Sequence, residues 1–292
     1  MKRGSTVALV TPFVPGTGAV DVPTLRKLLQ YHVAAGTPNL CILGTTGESS
    51  VLTSEERTLV WKTAVEEVKG KMTLLAGTGT IDPAAVKSLT QQAADLGCDA
   101  SLVVTPYYVK PPQRCLIDHM VKAAEGPLPV IMYNVPGRTG VNMGDDAIAI
   151  AAQHENIVGL KDATGDVGRL LSLKPKVPSD FLIYSGDDGT TLDFMSKGGD
   201  GCISVTANVA AKEMADMISL ALNGRMEEAA AINAKLESLH RDLFCESNPI
   251  PTKWALKRMG MIDSAYCRPP LAEMDPGFAP LVEAALGQAG FI

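Results

Sequence analysis

The stretch ENIVGLKDATGD, residues 155–166, holds an apolar run from Ile157 to Leu160 that ends on Lys161 and Asp162. A short apolar run closed by polar turn residues fits a strand buried on both faces, as in a parallel sheet. Runs of the same kind recur along the 292 residues, and together with 157–162 the candidate strands are 5–11, 39–44, 72–77, 100–105, 129–134, 181–186 and 201–206. The segments between them carry helical period and helix-start signals: Asp21 with Pro23 in the first turn, Thr53 with Glu56 as a capping box, and Asp82 before Pro83. The first of these helices presents Leu25, Leu28, Leu29 and Val33 on one face.

Eight strands alternating with eight helices predict a (β/α)8 TIM barrel, and the units fit within about 225 residues, near the usual length of such a barrel. The barrel is assigned to 1–223. Residues 224–292 form a C-terminal helical extension with helices expected at 225–245, 249–259 and 276–288, packed on the barrel because no Pro/Gly/Ser-rich linker separates them. A doubly wound open sheet is the alternative, but its first strand usually leads into a glycine-rich nucleotide turn, and Thr11-Pro12-Phe13 is not one.

A net charge of -6 argues against a broad footprint for nucleic acid or anionic lipid. The cysteines, Cys41, Cys98, Cys115, Cys202, Cys245 and Cys267, form no CxxC pair and so support neither a zinc site nor a dithiol motif. No signal-peptide pattern follows Met1, and no apolar stretch approaches the length of a membrane span. A cytoplasmic protein acting on small molecules, without metal or cofactor, is the expectation.

In barrels of this kind the active site is built at the C-terminal ends of the strands. Lys161 stands at such an end. A partly desolvated amine holds its proton less firmly, and a neutral amine attacks a ketone carbon to form an imine. A lysine snorkelling to water is the competing explanation of that residue alone. Gly44-Thr45-Thr46-Gly47 offers hydroxyls and backbone N–H groups for a carboxylate, or is a plain hydroxyl-bonded turn. Tyr108 and Tyr133 can pass protons or serve as buried structural tyrosines. Arg138, past Pro136-Gly137, can bind a second carboxylate through its planar fork, or be a solvated surface residue. The histidines, His32, His119, His154 and His240, fall in predicted helices away from the strand ends and are given no role.

Together these strand ends resemble the pyruvate-dependent aldolase superfamily and, within it, the dihydrodipicolinate synthase family. The motifs are GTTGES at 44–49, TPYY at 105–108, YNVPGRTG at 133–140, GLKDATGD at 159–166, SGDD at 185–188, GGDGCISVTANV at 198–209 and NPIPTKWAL at 248–256, so the likeness spans nearly the whole chain. The resemblance implies a synthase that condenses pyruvate with L-aspartate 4-semialdehyde through a Schiff base on Lys161, giving 4-hydroxy-tetrahydrodipicolinate for lysine and diaminopimelate biosynthesis. It also implies a proton-relay triad of Thr45, Tyr133 and a Tyr108 reaching in from a neighbouring subunit. Thr45 and Thr46 would take the pyruvate carboxylate, Gly186 and Ile203 would give backbone contacts, and Arg138 would hold the aldehyde's carboxylate. The active form would be at least a dimer, usually a homotetramer of two tight dimers.

Two departures from the family pattern stand out. Lysine-inhibited members carry histidines early in the second helix and an Asn and a Glu around the third; the matching positions here hold Ser54, Arg57, Ile81 and Ala85, although Ser49 and Tyr107 remain. Weak or absent feedback by lysine is therefore expected. Ser247, where many members have a proline, carries no catalytic meaning. A sister lyase acting on sugar acids would want polyol-binding groups where Arg138 stands, and a non-catalytic keto-acid sensor would leave the lysine, threonines and tyrosines idle.

Overall fold

In the computed structural model, which describes residues 1–292, eight parallel strands pair in chain order and close on themselves. They are β1 (Gly4–Ala8), β2 (Asn39–Ile42), β3 (Thr73–Gly77), β4 (Ala100–Val104), β5 (Val130–Asn134), β6 (Ile157–Asp162), β7 (Leu182–Ser185) and β8 (Gly201–Ser204). The seam runs from Gly4 opposite Gly201 to Val7 opposite Ser204. The crossovers carry α1 (Val22–Ala34), α2 (Ser54–Val68), α3 (Pro83–Leu96), α4 (Gln113–Ala124), α5 (Pro136–Thr139), α6 (Asp145–Ala151), α7 (Gly168–Leu173), α8 (Thr191–Ser196) and α9 (Ala211–Leu222). Three helices follow: α10 (Met226–Asp242), α11 (Ile250–Arg258) and α12 (Ala279–Ala289). The fold is the (β/α)8 barrel with a C-terminal helical extension. No helix is long and apolar enough to cross a membrane.

Local chemistry explains the starts of the helices. Asp21 accepts from the Thr24 N–H, Thr53 and Glu56 close a reciprocal capping box, and Asp82 accepts from the Ala84 N–H. On α1 the buried face runs through Leu25, Leu28, Leu29 and His32, and Val33 is only half-buried. That spacing of three, four and seven is the helical stripe, so a histidine occupies the place expected of the valine.

Several strands stop short of the apolar runs that announce them. β1 ends at Ala8 because the Val10 N–H bonds to the side-chain carbonyl of Asn208, at 3.0 Å, in place of a neighbouring strand. Leu9, whose N–H still bonds to Cys41 O of β2 at 2.9 Å, and Val10 stay buried beyond the end of the strand.

Strand parity separates two environments. On β6, Leu160 faces outward into a helix-covered cluster with Met132, Leu116 and Ile148, whereas Lys161 turns inward. The inner cluster holds Ala8, Cys41, Leu102, Ile131, Tyr133 and Ile203. The core that covers β1 to β3 continues without a break into the extension, through Leu236 and Leu239 of α10, Leu256 of α11 and Leu286 of α12. Nothing in this packing divides the extension from the barrel.

Candidate active site

β5 and β6 place Tyr133 and Lys161 as direct register partners. Both side chains turn inward, and the Lys161 Nζ lies 4.3 Å from the centroid of the Tyr133 ring. Lys161 is 6 % exposed, and its amine makes no ion pair within the chain. The adjacent Asp162 is engaged elsewhere: its carboxylate accepts from Asn134 Nδ2 at 2.9 Å and from Thr164 Oγ1 at 2.7 Å. With no counterion, the amine meets the electron-rich face of the Tyr133 ring.

Glycine is required beside the lysine. A Cβ on Gly186 would come within 2.7 Å of Ala163 Cβ and 3.0 Å of Lys161 Cε, so any larger residue would displace the amine. Cys41, across the barrel, supplies no counter-charge: burial pushes its thiol up to about 11, and the charge of Lys161 only partly opposes this.

The turn after β2 is built from strained backbone. Gly47 N–H bonds to Gly44 O at 3.1 Å and Glu48 N–H to Thr45 O at 3.0 Å, leaving the Thr45 and Thr46 N–H groups without an acceptor. On either side, Leu43 and Glu48 hold φ of +57° and +52°. Each such non-glycine conformation costs about 1–3 kcal/mol and persists only where its surroundings over-determine it. For Leu43 the constraint is Gly77, where a Cβ would lie 2.0 Å from the Leu43 carbonyl oxygen.

For Glu48 the constraint is a buried ion pair with Lys253 of α11, with Nζ to Oε1 at 2.5 Å and both side chains within 1 % of full burial. The second carboxylate oxygen accepts the Arg268 N–H at 2.8 Å. Phe13 lies against both cations, 4.1 Å from Lys253 Nζ and 4.6 Å from Arg268 Cζ to its ring centroid. Burial lowers the affinity of Lys253 for its proton and Glu48 opposes that shift. Removing one partner of such a pair strands a charge, at about 3–5 kcal/mol.

These elements enclose a cavity of about 550 Å³ whose lining includes Thr45, Thr46, Tyr133, Arg138, Lys161 and Gly186. Thr46 is buried and its hydroxyl accepts from Asn248 Nδ2 at 2.9 Å. Arg138 sits in the single turn of α5, is exposed, and donates from Nη2 to Asn248 O at 3.3 Å. Among the cavity's groups are one amine, the guanidinium groups of Arg138 and Arg241, two threonine hydroxyls and one phenol, which can receive a ligand with a carbonyl group and carboxylates, beside the carboxylates of Asp187, Asp188 and Glu237.

Two expected residues lie elsewhere. Ile203 is buried in the inner cluster of the barrel and is absent from the cavity wall. Tyr108 is 88 % exposed with φ of +69°, outside the cavity of its own chain, and no hydrogen bond joins Thr45, Tyr133 and Tyr108 within one chain. Beside it, Tyr107 lines a second cavity of about 600 Å³ with Ser49, Arg57 and Ala85; Gly44, Thr45, Leu102, Tyr133, Val135 and Arg138 form the wall common to both cavities.

One expectation is corrected. His240 was expected to lie away from the strand ends, but α10 crosses above the barrel mouth, and Asn233, Glu237, His240, Arg241 and Phe244 line the cavity. His240 is buried, shares a 3.0 Å hydrogen bond with the Thr206 hydroxyl through Nδ1, and binds protons less readily because of its burial. The helical spacing of these residues is the signal that could have revealed a lining face. Glu48, Asn248 and Lys253 also escaped the sequence reading.

Compared with known proteins, residues 1–289 match the dihydrodipicolinate synthetase family. A protein of Methylococcus capsulatus named 4-hydroxy-tetrahydrodipicolinate synthase is 46 % identical over 293 residues, covering 100 % of both chains. Among solved structures, the chloride-inhibited dihydrodipicolinate synthase of Acinetobacter baumannii, complexed with pyruvate, superposes with a TM-score of 0.97 at 44 % identity and covers 100 % of both chains. The dihydrodipicolinate synthase of Thermotoga maritima gives 0.96 at 39 % identity, again over 100 % of both chains.

Proposed function

The chain belongs to the dihydrodipicolinate synthetase family, and from that premise we propose that it condenses pyruvate with L-aspartate 4-semialdehyde, with Lys161 as the amine. The observation that carries the assignment of Lys161 is its burial against Tyr133 at the end of β6, facing the cavity without a carboxylate partner.

Lys161 Nζ attacks C2 of pyruvate, and the carbinolamine loses water to give the imine. The cationic nitrogen draws electrons from the adjacent methyl group, which yields a proton to form the enamine. The enamine carbon attacks the aldehyde carbon, whose oxygen takes up a proton. The amino nitrogen of the second substrate then adds to C2 and expels the lysine as the ring closes. One water is released overall, and the product is 4-hydroxy-tetrahydrodipicolinate.

Tyr133 stands nearest the amine and is assigned the proton transfers, with Thr45 as its relay. The free N–H groups and hydroxyls of Thr45 and Thr46 take the pyruvate carboxylate. Arg138 takes the carboxylate of the aldehyde. Gly186 leaves room for the lysine stem, and the backbone of Ile203 completes the set. Tyr108 serves the cavity of a second copy, which makes the active form at least a dimer and, by family likeness, a tetramer of two dimers. The reading extends to a cytoplasmic enzyme, supported by six cysteines that form no disulfide.

Incubation with pyruvate and borohydride tests the assignment. The expected result is a mass increase confined to the peptide bearing Lys161 and absent in Lys161→Ala. An unmodified Lys161 peptide, or equal labelling of the variant, overturns it.

A further inference from the structure

Thr46 and Glu48 bracket the turn assigned above to the pyruvate carboxylate, and each is held by a residue of the segment that opens α11. Asn248 donates its side-chain amide to the Thr46 hydroxyl at 2.9 Å, and Thr46 Oγ1 has no other partner in the chain. A hydroxyl that accepts on one side has its own proton free on the other. The Thr46 proton is thereby left for an acceptor in the cavity, which both Thr46 and Asn248 line. Lys253, five positions on, fixes the left-handed conformation of Glu48 through the buried ion pair, and this keeps the Thr45 and Thr46 N–H groups turned away from backbone acceptors.

We infer that Asn248 and Lys253 are positioning residues of the keto-acid carboxylate seat: Asn248 sets the polarity of the Thr46 hydroxyl, and Lys253 holds, through Glu48, the turn that presents the paired N–H groups. Neither residue touches the reacting carbon. The effect of Asn248 falls on the affinity for pyruvate, and that of Lys253 falls on the same affinity and, because its turn also carries Thr45, on the proton relay. The inference rests on the assignment of Thr45 and Thr46 to the pyruvate carboxylate.

Two variants separate positioning from support of the fold. Asn248→Asp keeps the shape of the side chain but replaces the donor with an acceptor, so the Thr46 proton turns back toward residue 248 and is lost to the substrate. The double variant Glu48→Leu with Lys253→Met removes both buried charges together, which avoids stranding either one, and frees the turn. Initial rates against pyruvate concentration, at saturating aspartate semialdehyde, are measured beside thermal unfolding for each variant.

Asn248→Asp is expected to raise the KM for pyruvate by at least about tenfold, the scale of one charge-assisted hydrogen bond, with kcat within about twofold of the parent enzyme. The double variant is expected to move KM in the same direction. An unchanged pyruvate KM in a folded Asn248→Asp enzyme overturns the inference, whatever happens to its melting temperature. So does a loss confined to kcat. Borohydride trapping on the parent enzyme keeps the two levels apart: failure to trap pyruvate defeats the functional reading, whereas normal trapping with an unchanged variant KM defeats only the positioning role.

Discussion

Lys161 and Tyr133 face each other across the β5–β6 ladder, with the lysine amine 4.3 Å from the centre of the phenol ring. The contact places an acid–base group beside the only amine that lines the cavity. Tyr133→Phe preserves the ring and removes the hydroxyl. It is expected to lower kcat by about 10²- to 10⁴-fold, the usual contribution of a positioned proton carrier, while pyruvate is still trapped on Lys161. Steady-state rates with parallel borohydride trapping check this, and a kcat close to the parent value removes Tyr133 from the proton path.

On the proposed reading, the exposed Tyr108 serves the cavity of another chain. Tyr108→Phe and Lys161→Ala are each expected to be nearly inactive alone. Unfolded together and refolded as a mixture, they should regain a fraction of the parent activity, because hybrid assemblies combine an intact lysine with an intact tyrosine from the other chain. Activity that stays at the sum of the two single variants would show that Tyr108 acts within its own subunit or not at all.

Free lysine is expected to leave the rate unchanged at low millimolar concentration. The second cavity presents the guanidinium of Arg57 and no carboxylate, so neither ammonium group of lysine would find a counter-charge there. Burial lowers the proton affinity of Arg57 but does not make it an acceptor. A dose-dependent fall in rate on adding lysine contradicts this reading.

His32 makes stability sensitive to acid. Burial lowers its pKa from 6.5 to about 3, so between those values the unfolded chain holds a proton that the native chain refuses. Stability therefore rises with pH across that window and is lost as pH falls below 6.5, at about 1.4 kcal/mol per pH unit for one such group. His119 and His240, lowered chiefly by burial, act with the same sign. His32→Met is expected to flatten the fall by about one histidine's share. Urea midpoints measured from about pH 7 to about pH 5 decide it, and parallel slopes for the two proteins would show that His32 titrates normally.

The barrel was legible because eight apolar runs alternate with capped helices, and a buried parallel strand leaves that mark whatever its neighbours are. Lys161 was a candidate on its place at a strand end of the barrel, since for the residue alone a lysine snorkelling to water is the competing explanation. Strand ends were less legible, because Leu9 and Val10 remain buried beyond the end of the strand. His240 had a local signal in the helical spacing of its lining face, but Asn248 and Lys253 escaped because their partners lie far off in sequence: Asn248 and Thr46 are 202 positions apart, and Lys253 and Glu48 are 205. No local period or spacing encodes a contact of that reach. The place of Tyr108 depends on a surface that lies outside one chain.

The ion pair between Glu48 and Lys253 also has an order in time. Glu48 follows the second strand and Lys253 comes well after the eighth, so a ribosome that has released every strand of the barrel has still not delivered the cation that pairs with Glu48. Proteolytic clipping or a premature stop ahead of Lys253 would leave Glu48 a buried charge without its cation and open the part of the core that the extension covers.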